Sequence, residues 1–174
     1  MRIYTKTGDG GQTSLFTGER IGKETPRVET YGAVDEANSA LALARAFSKL
    51  PEVQQKIYEL QKLLPKLMAD LASLNRPALI KDSDVAQLEQ EMDVLDSKLP
   101  PLKNFVIPGD TQAGAFLDLA RTMVRRAERE FYRLGHFEAV HEVDGLFLNR
   151  LSDYCFMLMR VEDFFAAKES AVLV

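Results

Sequence analysis

The chain has 174 residues with a formal net charge of −4, and 46% of its residues are hydrophobic. This length suits one domain that buries roughly 70% of its unfolded surface without disulfides or metals. The negative charge gives no overall attraction to nucleic acid, and no apolar run is long enough to span a membrane. We expect a single domain over residues 1–174, with a leader over 1–30 and a helical part over 31–170.

Two further features concern the cellular compartment. The single cysteine, Cys155, excludes an intramolecular disulfide and a multi-cysteine zinc site, and its apolar surroundings predict a buried, unreactive thiol. The N-terminus lacks the apolar core of a secretory signal. We therefore expect a cytoplasmic protein.

The N-terminal leader is rich in glycine and hydroxyl side chains. The residues run Thr5, Lys6, Thr7, Gly8, Asp9, Gly10, Gly11. Glycine allows backbone N–H groups to turn inward and bind an anion, and a lysine adds positive charge. The segment does not match the Walker pattern, which follows a strand and ends in Gly-Lys-Ser/Thr. Two interpretations stay open, a phosphate-binding loop and a flexible turn.

Helical periodicity follows the leader. An Ala- and Leu-rich run from Ala33 to Ser48 predicts the first helix, and Pro51 suits the first turn of the second. Apolar residues of the second helix alternate at spacings of four and three, at Val53, Ile57, Leu60, Leu64, Leu67, Leu71 and Leu74. This spacing is typical of a helix in a bundle. Pro65 is expected to kink the helix or to open its hydrogen bonding locally.

Capping residues delimit the next two helices. Asp84, with Gln87 three residues later, predicts the N-cap of the third helix, and Pro100 marks its end. Thr111 is a favourable N-cap for the fourth helix, and Gly135 is well placed to end it.

A fifth helix is predicted from about Val143 to Lys168. The third and fourth helices are separated by a short apolar segment, Phe105–Asp110, that leads into a turn. The sequence therefore predicts an all-α fold, a five-helix bundle with an extended glycine-rich N-terminal loop.

A charged stripe lies beside the apolar face of the fourth helix. Spacings of three and four place Asp118, Arg121, Arg125 and Glu128 on one side. The stripe is either a solvated face with ion pairs or a clamp for a triphosphate, since guanidinium forks match phosphate oxygens. Asn149, between leucines of the fifth helix, either borders a site or makes an interhelical hydrogen bond.

Several segments together resemble one known family. In chain order they are Tyr4–Gly11, Arg27–Glu29, Tyr31–Ser39, Phe105–Gly109, Ala120–Thr122 with Arg125–Arg129, and Phe147–Tyr154. These segments resemble those of the PduO-type ATP:cob(I)alamin adenosyltransferases, the corrinoid adenosyltransferases that make adenosylcobalamin. The resemblance extends from residue 2 to about residue 160.

The resemblance implies transfer of the 5′-deoxyadenosyl group of ATP to cob(I)alamin, with magnesium as cofactor. It implies a homotrimer with sites between subunits, a reductase that supplies electrons and an adenosylcobalamin-dependent enzyme that receives the product. The implied ATP-binding residues are Thr5, Lys6, Thr7, Gly8, Asp9, Gly10, Lys23, Arg125, Glu128 and Asn149. The implied catalytic residues are Arg125, Arg121, Asp35 and Phe105. The resemblance implies that Asp35 pairs with Arg121 of the next subunit and that Phe105 lies under the corrin ring.

The chemistry of the residues agrees with this resemblance. Cob(I)alamin is itself a strong nucleophile, so the cofactor carries the difficult step and no general base is needed. The sequence offers no obvious base, since His136 and His141 fall in one predicted loop. The departing triphosphate needs positive charge, which Lys6, Lys23 and Arg125 can supply together with magnesium. An apolar Phe105 that excludes the lower axial ligand would make cobalt easier to reduce.

Three residues depart from the usual family sequence. Ala37 stands where leucine is common, Asp110 replaces the second glycine of a Pro-Gly-Gly turn, and Asp118 stands where histidine is usual. The tail after Arg160 also lacks the usual aromatic residues. The two added carboxylates leave an alternative open, a non-catalytic ATP- or corrinoid-binding carrier of the same fold. A purely structural bundle is disfavoured, because the ATP-contacting and pairing residues occur together.

Overall fold

The computed structural model describes residues 4–102 and 104–172, with side chains described as far as Ala166. The elements in chain order are β1 (Gln12–Ser14), β2 (Arg20–Gly22), α1 (Pro26–Phe47), α2 (Pro51–Leu71), α3 (Asp82–Asp96), α4 (Gln112–Gly135) and α5 (Glu142–Val172). The predicted all-α five-helix bundle is confirmed. Within the described residues, no helix combines the length and the apolar character needed to cross a membrane.

The leader contains a small β-hairpin that the sequence did not predict. Strands β1 and β2 pair antiparallel, with Thr13 opposite Ile21. Leu15 is buried, and the backbone N–H of Phe16 donates to the carbonyl of Ala72 at 2.8 Å. The hairpin is thus anchored to the end of α2, and it fixes where the glycine-rich segment before it lies.

Helix α1 begins at Pro26, seven residues before the alanine-rich run that predicted it. Proline is favoured in the first helical turn, because its missing N–H has no helical partner there. Arg27 is only 3% exposed and donates to the carboxylate of Glu138 at 2.8 Å and to the carbonyl of Leu71 at 2.7 Å. These tertiary contacts stabilise the first turns, which helix propensity alone would not have placed.

Helix α2 continues without interruption through Pro65, which is exposed. Its apolar stripe is buried as predicted from Val53 to Leu71, and Leu74 lies beyond the end of the helix. A proline on the exposed side of a helix leaves the freed carbonyl accessible to water, which reduces the cost of the missing hydrogen bond.

The structure contradicts the predicted N-cap of α3 and confirms both predicted ends of α4. Asp84 is not the N-cap of α3, because the helix begins at Asp82 with Lys81 as its N-cap. Asp84 instead occupies the third helical position and accepts the backbone N–H of Lys81 at 2.8 Å. The Thr111 cap of α4 is confirmed, since its hydroxyl accepts the N–H of Gly114 at 2.8 Å, and the helix ends at Gly135 as predicted.

All five helices contribute to the core, and α4 makes its most extensive contacts with α1 and α5. The largest buried side chains of the core include Leu41, Leu117, Phe147 and Tyr154. Helices α4 and α5 approach closely at Gly145, where a Cβ atom would lie 2.6 Å from the Phe131 ring. This close packing fixes the register between the charged stripe of α4 and the polar residues of α5.

Candidate functional site

The glycine-rich segment is folded into consecutive turns. The N–H of Asp9 donates to the carbonyl of Lys6 at 3.3 Å, and the N–H of Gly11 donates to the carbonyl of Gly8 at 3.2 Å. Lys6 and Gly11 have φ angles of 61° and 80°. The left-handed conformation is uncommon for a lysine, and such local turns direct N–H groups toward one side of a loop.

Two basic residues, one in β2 and one directly after it, hold this loop in place. The Nζ atom of Lys23 would lie 3.2 Å from a Cβ on Gly8, so the amine rests directly against the loop. The backbone N–H of Lys23 donates to the carbonyl of Gly11 at 2.9 Å. Arg20 donates to the carbonyl of Thr7 at 2.7 Å. The sequence motifs do not single out Arg20, although its position three residues before Lys23 was a usable signal.

A second polar cluster joins α4 to α5. The side-chain amide of Asn149 donates to Glu128 at 2.9 Å, and Arg150 donates to the amide oxygen of Asn149 at 2.6 Å. Arg150 also binds Glu89 of α3 at 2.5 Å. The structure therefore brings together two of the predicted ATP-binding residues, and it adds Arg150, which sequence analysis did not single out.

The arginines next to this cluster have different surroundings. Arg125, one turn before Glu128, is exposed, and its carbonyl accepts a bond from Arg129 at 3.0 Å. Arg126 binds two carboxylates of α1, at 3.3 Å from Glu29 and in close contact with Glu36. Arg125 is thus open to solvent, whereas Arg126 joins α1 to α4.

The other end of the charged stripe borders an apolar cavity of about 740 Å³. Its lining is Leu102, Asn104, Phe105, Val106, Pro108, Asp118, Arg121, Phe156 and Met159. Phe105 is fully exposed at the mouth of this cavity. Arg121 donates from Nε to Asp118 at 2.8 Å, so the Asp118 carboxylate is already neutralised within its own helix.

Asp35 makes no described hydrogen bond or ion pair with Arg121 within the chain. Asp35 is exposed on α1, and its described contact is a 3.1 Å hydrogen bond from the Ser39 hydroxyl to its backbone carbonyl. Among the described residues, the Arg121 side chain bonds only to Asp118. The pairing of Asp35 with a neighbouring subunit stays a prediction.

The glycine-rich loop is likewise separate from the α4–α5 cluster. Over residues 4–102 and 104–166, no hydrogen bond or ion pair joins residues 5–10 to Arg125, Glu128 or Asn149. The same part of the chain contains no group of three or more His, Cys, Asp or Glu side chains arranged to hold a metal ion. The glycine-rich loop and the α4–α5 cluster are therefore two polar surfaces with no described bond between them in the chain.

Cys155 is the only cysteine, and it lies in the core behind Arg121. Burial raises the pKa of its thiol to about 12, although the nearby Arg121 charge opposes this shift. A thiol with this pKa is protonated at neutral pH and is a poor nucleophile. The predicted burial of Cys155 is confirmed.

Buried carboxylates lie outside both surfaces. Asp144, near the start of α5, is 1% exposed, and its Oδ1 atom has no hydrogen-bond partner among the described residues. Burial, and then the neighbouring Asp70 carboxylate, raise the pKa of Asp144 to about 8. Both residues line a separate cavity of about 330 Å³ that also contacts Arg27 and His141.

The family described as cobalamin adenosyltransferase matches residues 3–162 of the chain. The chain belongs to the cobalamin adenosyltransferase family. The corrinoid adenosyltransferase PduO of Citrobacter freundii is 42% identical over 168 residues, which are 94% of this chain and 50% of that protein. A second Citrobacter freundii corrinoid adenosyltransferase is 41% identical over 93% of this chain and 95% of its own length. The chain thus spans about half the length of the first relative and nearly all of the second.

Solved structures of this family share the fold. A variant of the PduO-type ATP:corrinoid adenosyltransferase from Lactobacillus reuteri, complexed with cobalamin and ATP, has a TM-score of 0.90 and 33% identity. The match covers 95% of this chain and 96% of that one. Another variant of the Lactobacillus reuteri enzyme, complexed with ATP, has a TM-score of 0.86 and 34% identity.

Proposed function

We propose that the protein transfers the 5′-deoxyadenosyl group of ATP to cob(I)alamin and releases triphosphate. One observation carries this proposal beyond family membership. The apolar cavity beside Arg121 and the polar cluster at Glu128 lie on one stripe of α4, seven residues or about 10 Å apart along the helix axis. A flat corrinoid in the cavity and a nucleotide at the cluster would be neighbours, as the transfer requires.

ATP would be held by the two polar surfaces together. The glycine-rich loop, with Lys6 and Lys23, supplies backbone N–H groups and positive charge for the phosphates. Arg125, Glu128 and Asn149 supply a guanidinium, a carboxylate and an amide from the bundle. Magnesium would enter with ATP, because this ion is usually bound by substrate phosphates and water with few protein ligands.

The reaction needs charge stabilisation rather than acid–base chemistry. The cobalt electron pair forms a bond to the 5′ carbon of ATP, and the carbon–oxygen bond breaks with its electron pair on the departing triphosphate. Positive groups placed around that leaving group stabilise the developing charge. The cavity provides an apolar environment for the corrin, and the exposed ring of Phe105 would cover its lower face against water.

The two polar surfaces would meet between subunits. The absence of a bond between them within the chain and the exposed Asp35 both favour an oligomer in which each site takes the loop from one subunit and α4 from another, and the family resemblance implies that this oligomer is a homotrimer. A reductase would deliver the electron that converts cob(II)alamin to cob(I)alamin. The product would pass to an adenosylcobalamin-dependent enzyme.

An anaerobic assay tests this function directly. The protein is mixed with ATP, magnesium and chemically reduced cobalamin, and the absorbance change to the alkyl-cobalt product is followed together with triphosphate release. Stoichiometric formation of both products is expected. Binding of ATP and cobalamin without either product would overturn the transferase assignment and favour the carrier, which the added carboxylates Asp110 and Asp118 keep as the second candidate.

A further inference from the structure

Asp118 and Arg121 form an ion pair at the edge of the corrinoid cavity. The Nε atom of Arg121 lies 2.8 Å from Oδ1 of Asp118, one helical turn away. The two side chains are 29% and 20% exposed, so the pair is partly shielded from water. A charged hydrogen bond in such surroundings is stronger and better oriented than one on an open surface.

The bond uses only part of the guanidinium. Arginine has five N–H donors in a fixed planar fork, and Asp118 takes the one on Nε. Among the described residues, no hydrogen bond engages the terminal Nη atoms of Arg121. Because the fork is rigid, fixing Nε also fixes the plane in which the terminal nitrogens lie.

The surroundings of the pair link it to the ligand. Asp118 and Arg121 share the cavity lining with the apolar side chains of Phe105, Phe156 and Met159. Aspartate at position 118 supplies a full negative charge next to the Arg121 guanidinium. In a mostly apolar cavity, an arginine without a nearby carboxylate would be free to adopt other rotamers.

We propose that Asp118 is a positioning residue, which holds the Arg121 guanidinium so that its terminal nitrogens are presented, at the edge of the corrinoid cavity, to the Asp35 carboxylate expected from the next subunit. This inference rests on the proposed function. It also removes one reason to expect an inactive protein, because the added carboxylate is neutralised by Arg121. Asp118 therefore affects how the corrinoid is bound, and it leaves the ATP surface unchanged.

Substitution of Asp118 by alanine separates a positioning role from a structural one. The Asp118→Ala variant is expected to lose about 10-fold in kcat/KM for cob(I)alamin, mainly through KM, with the KM for ATP unchanged. Asp118→Asn keeps an oxygen acceptor for Nε and should recover part of the loss. In an Arg121→Ala background, removal of Asp118 should have no further effect, because the group it positions is gone.

The matched control is Glu130, which forms an i,i+3 ion pair with Arg133 at 2.8 Å on the same helix and outside the cavity. Glu130→Ala removes a comparable ion pair and should leave both KM values at the wild-type level. If Asp118→Ala behaves like this control, or if its effect adds to that of Arg121→Ala, the positioning role is wrong.

A binding measurement keeps this test separate from that of the proposed function. Cob(II)alamin affinity is measured for the wild type, Asp118→Ala, Asp118→Asn and Glu130→Ala. A wild type that binds but does not turn over would contradict the transferase assignment alone. If both Asp118 variants bind cob(II)alamin as tightly as the wild type, and if their KM for cob(I)alamin is unchanged wherever they turn over, the positioning role of Asp118 is wrong. This outcome would leave the transferase assignment unaffected. Thermal unfolding of each variant identifies any loss caused by misfolding, and Asp118→Asn carries the test if the alanine variant does not fold.

Discussion

Adjacent arginines on α4 have opposite surroundings. Arg126 binds the carboxylates of Glu29 and Glu36, whereas Arg125 is exposed and has no carboxylate partner among the described residues. A guanidinium without a carboxylate is free to bind phosphate oxygens in pairs. We therefore expect Arg125 to act on ATP and Arg126 to act mainly on the packing of α1 against α4.

Arg125→Ala should lower adenosyl transfer by about 100-fold, because loss of one charged group around a leaving triphosphate removes about 3 kcal/mol of transition-state stabilisation. Its thermal unfolding should match the wild type, since the side chain is exposed. Steady-state kinetics and circular dichroism measure the two effects. Arg126→Ala is the contrast, with a loss of at most about 1 kcal/mol in stability and a smaller loss of activity. Near-normal turnover of a folded Arg125→Ala variant would show that Arg125 does not act on the triphosphate of ATP.

Phe105→Ala should slow adenosylation most when the starting cofactor is cob(II)alamin. Truncation would allow water or the nucleotide base to reach the lower axial position, and a ligated cobalt resists reduction. Supplied with pre-reduced cob(I)alamin, the variant should recover much of its rate. The fully exposed ring contributes little to folding, so the unfolding temperature should not change. Equal losses with both oxidation states would assign Phe105 to corrin binding instead.

At the scale of elements, the junction of α2 and α5 holds a buried carboxyl whose proton matters for stability. Asp144 has a pKa raised from an ordinary 3.8 to about 8 by burial and by Asp70. Asp70 accepts the backbone N–H groups of Leu79 and Ile80. At a pH between 3.8 and about 8, the Asp144 carboxyl keeps its proton in the folded state and has lost it in the unfolded state. The free energy of unfolding therefore falls as pH rises from about 4 to about 8.

Asp144→Asn should remove this part of the pH dependence. The amide resembles a protonated carboxyl in shape, donates to Asp70 and does not titrate. The unfolding temperature of the variant relative to the wild type should therefore increase from about pH 5 to about pH 8. Asp153→Asn, at an exposed position of the same helix, is the control. A constant difference across this range would show that Asp144 is ionised in the folded protein.

The sequence predicted all five helices, with α2 recognised by its apolar spacing, α1 by its alanine and leucine content, and α3 and α4 by residues at their ends. It could not place the first turns of α1, since Arg27 is held there by Glu138 and by the carbonyl of Leu71, distant in sequence. The same limit explains the wrong cap of α3. Asp84 was the correct residue type, but a carboxylate at the third helical position also bonds back to the cap, and sequence alone does not separate the two arrangements.

The candidate site was predictable where local motifs carry it. Glu128 and Asn149 were both named from the family resemblance, and they are hydrogen-bonded in the structure. Arg20 and Arg150 were missed, because their roles depend on contacts with a loop and with two other helices. Motifs thus predict candidate ligand-binding residues more readily than they predict the residues that hold these candidates in place.

At the scale of the whole molecule, Asp35 and Arg121 test the subunit arrangement. Each single alanine variant should impair activity, and the double variant should cost much less than the sum of the two, as expected for a directly interacting pair. Since the two residues make no described hydrogen bond or ion pair with each other within the chain, coupling between them places the contact across an interface. Light scattering should give a trimer mass for the wild type. Additive effects, or a monomer mass at the assay concentration, would contradict the shared site.

The separation of the glycine-rich loop from the α4–α5 cluster has a genetic consequence. If each site takes its loop from one subunit and its cluster from the next, two inactive alleles can restore each other. Lys23→Ala damages only the loop side, and Arg125→Ala damages only the helix side. Co-expressed in equal amounts, these chains would assemble mixed rings in which roughly a quarter of the sites combine an intact loop with an intact helix. Activity well above that of either variant alone is the expected complementation, and an activity equal to their average would place each complete site within one chain.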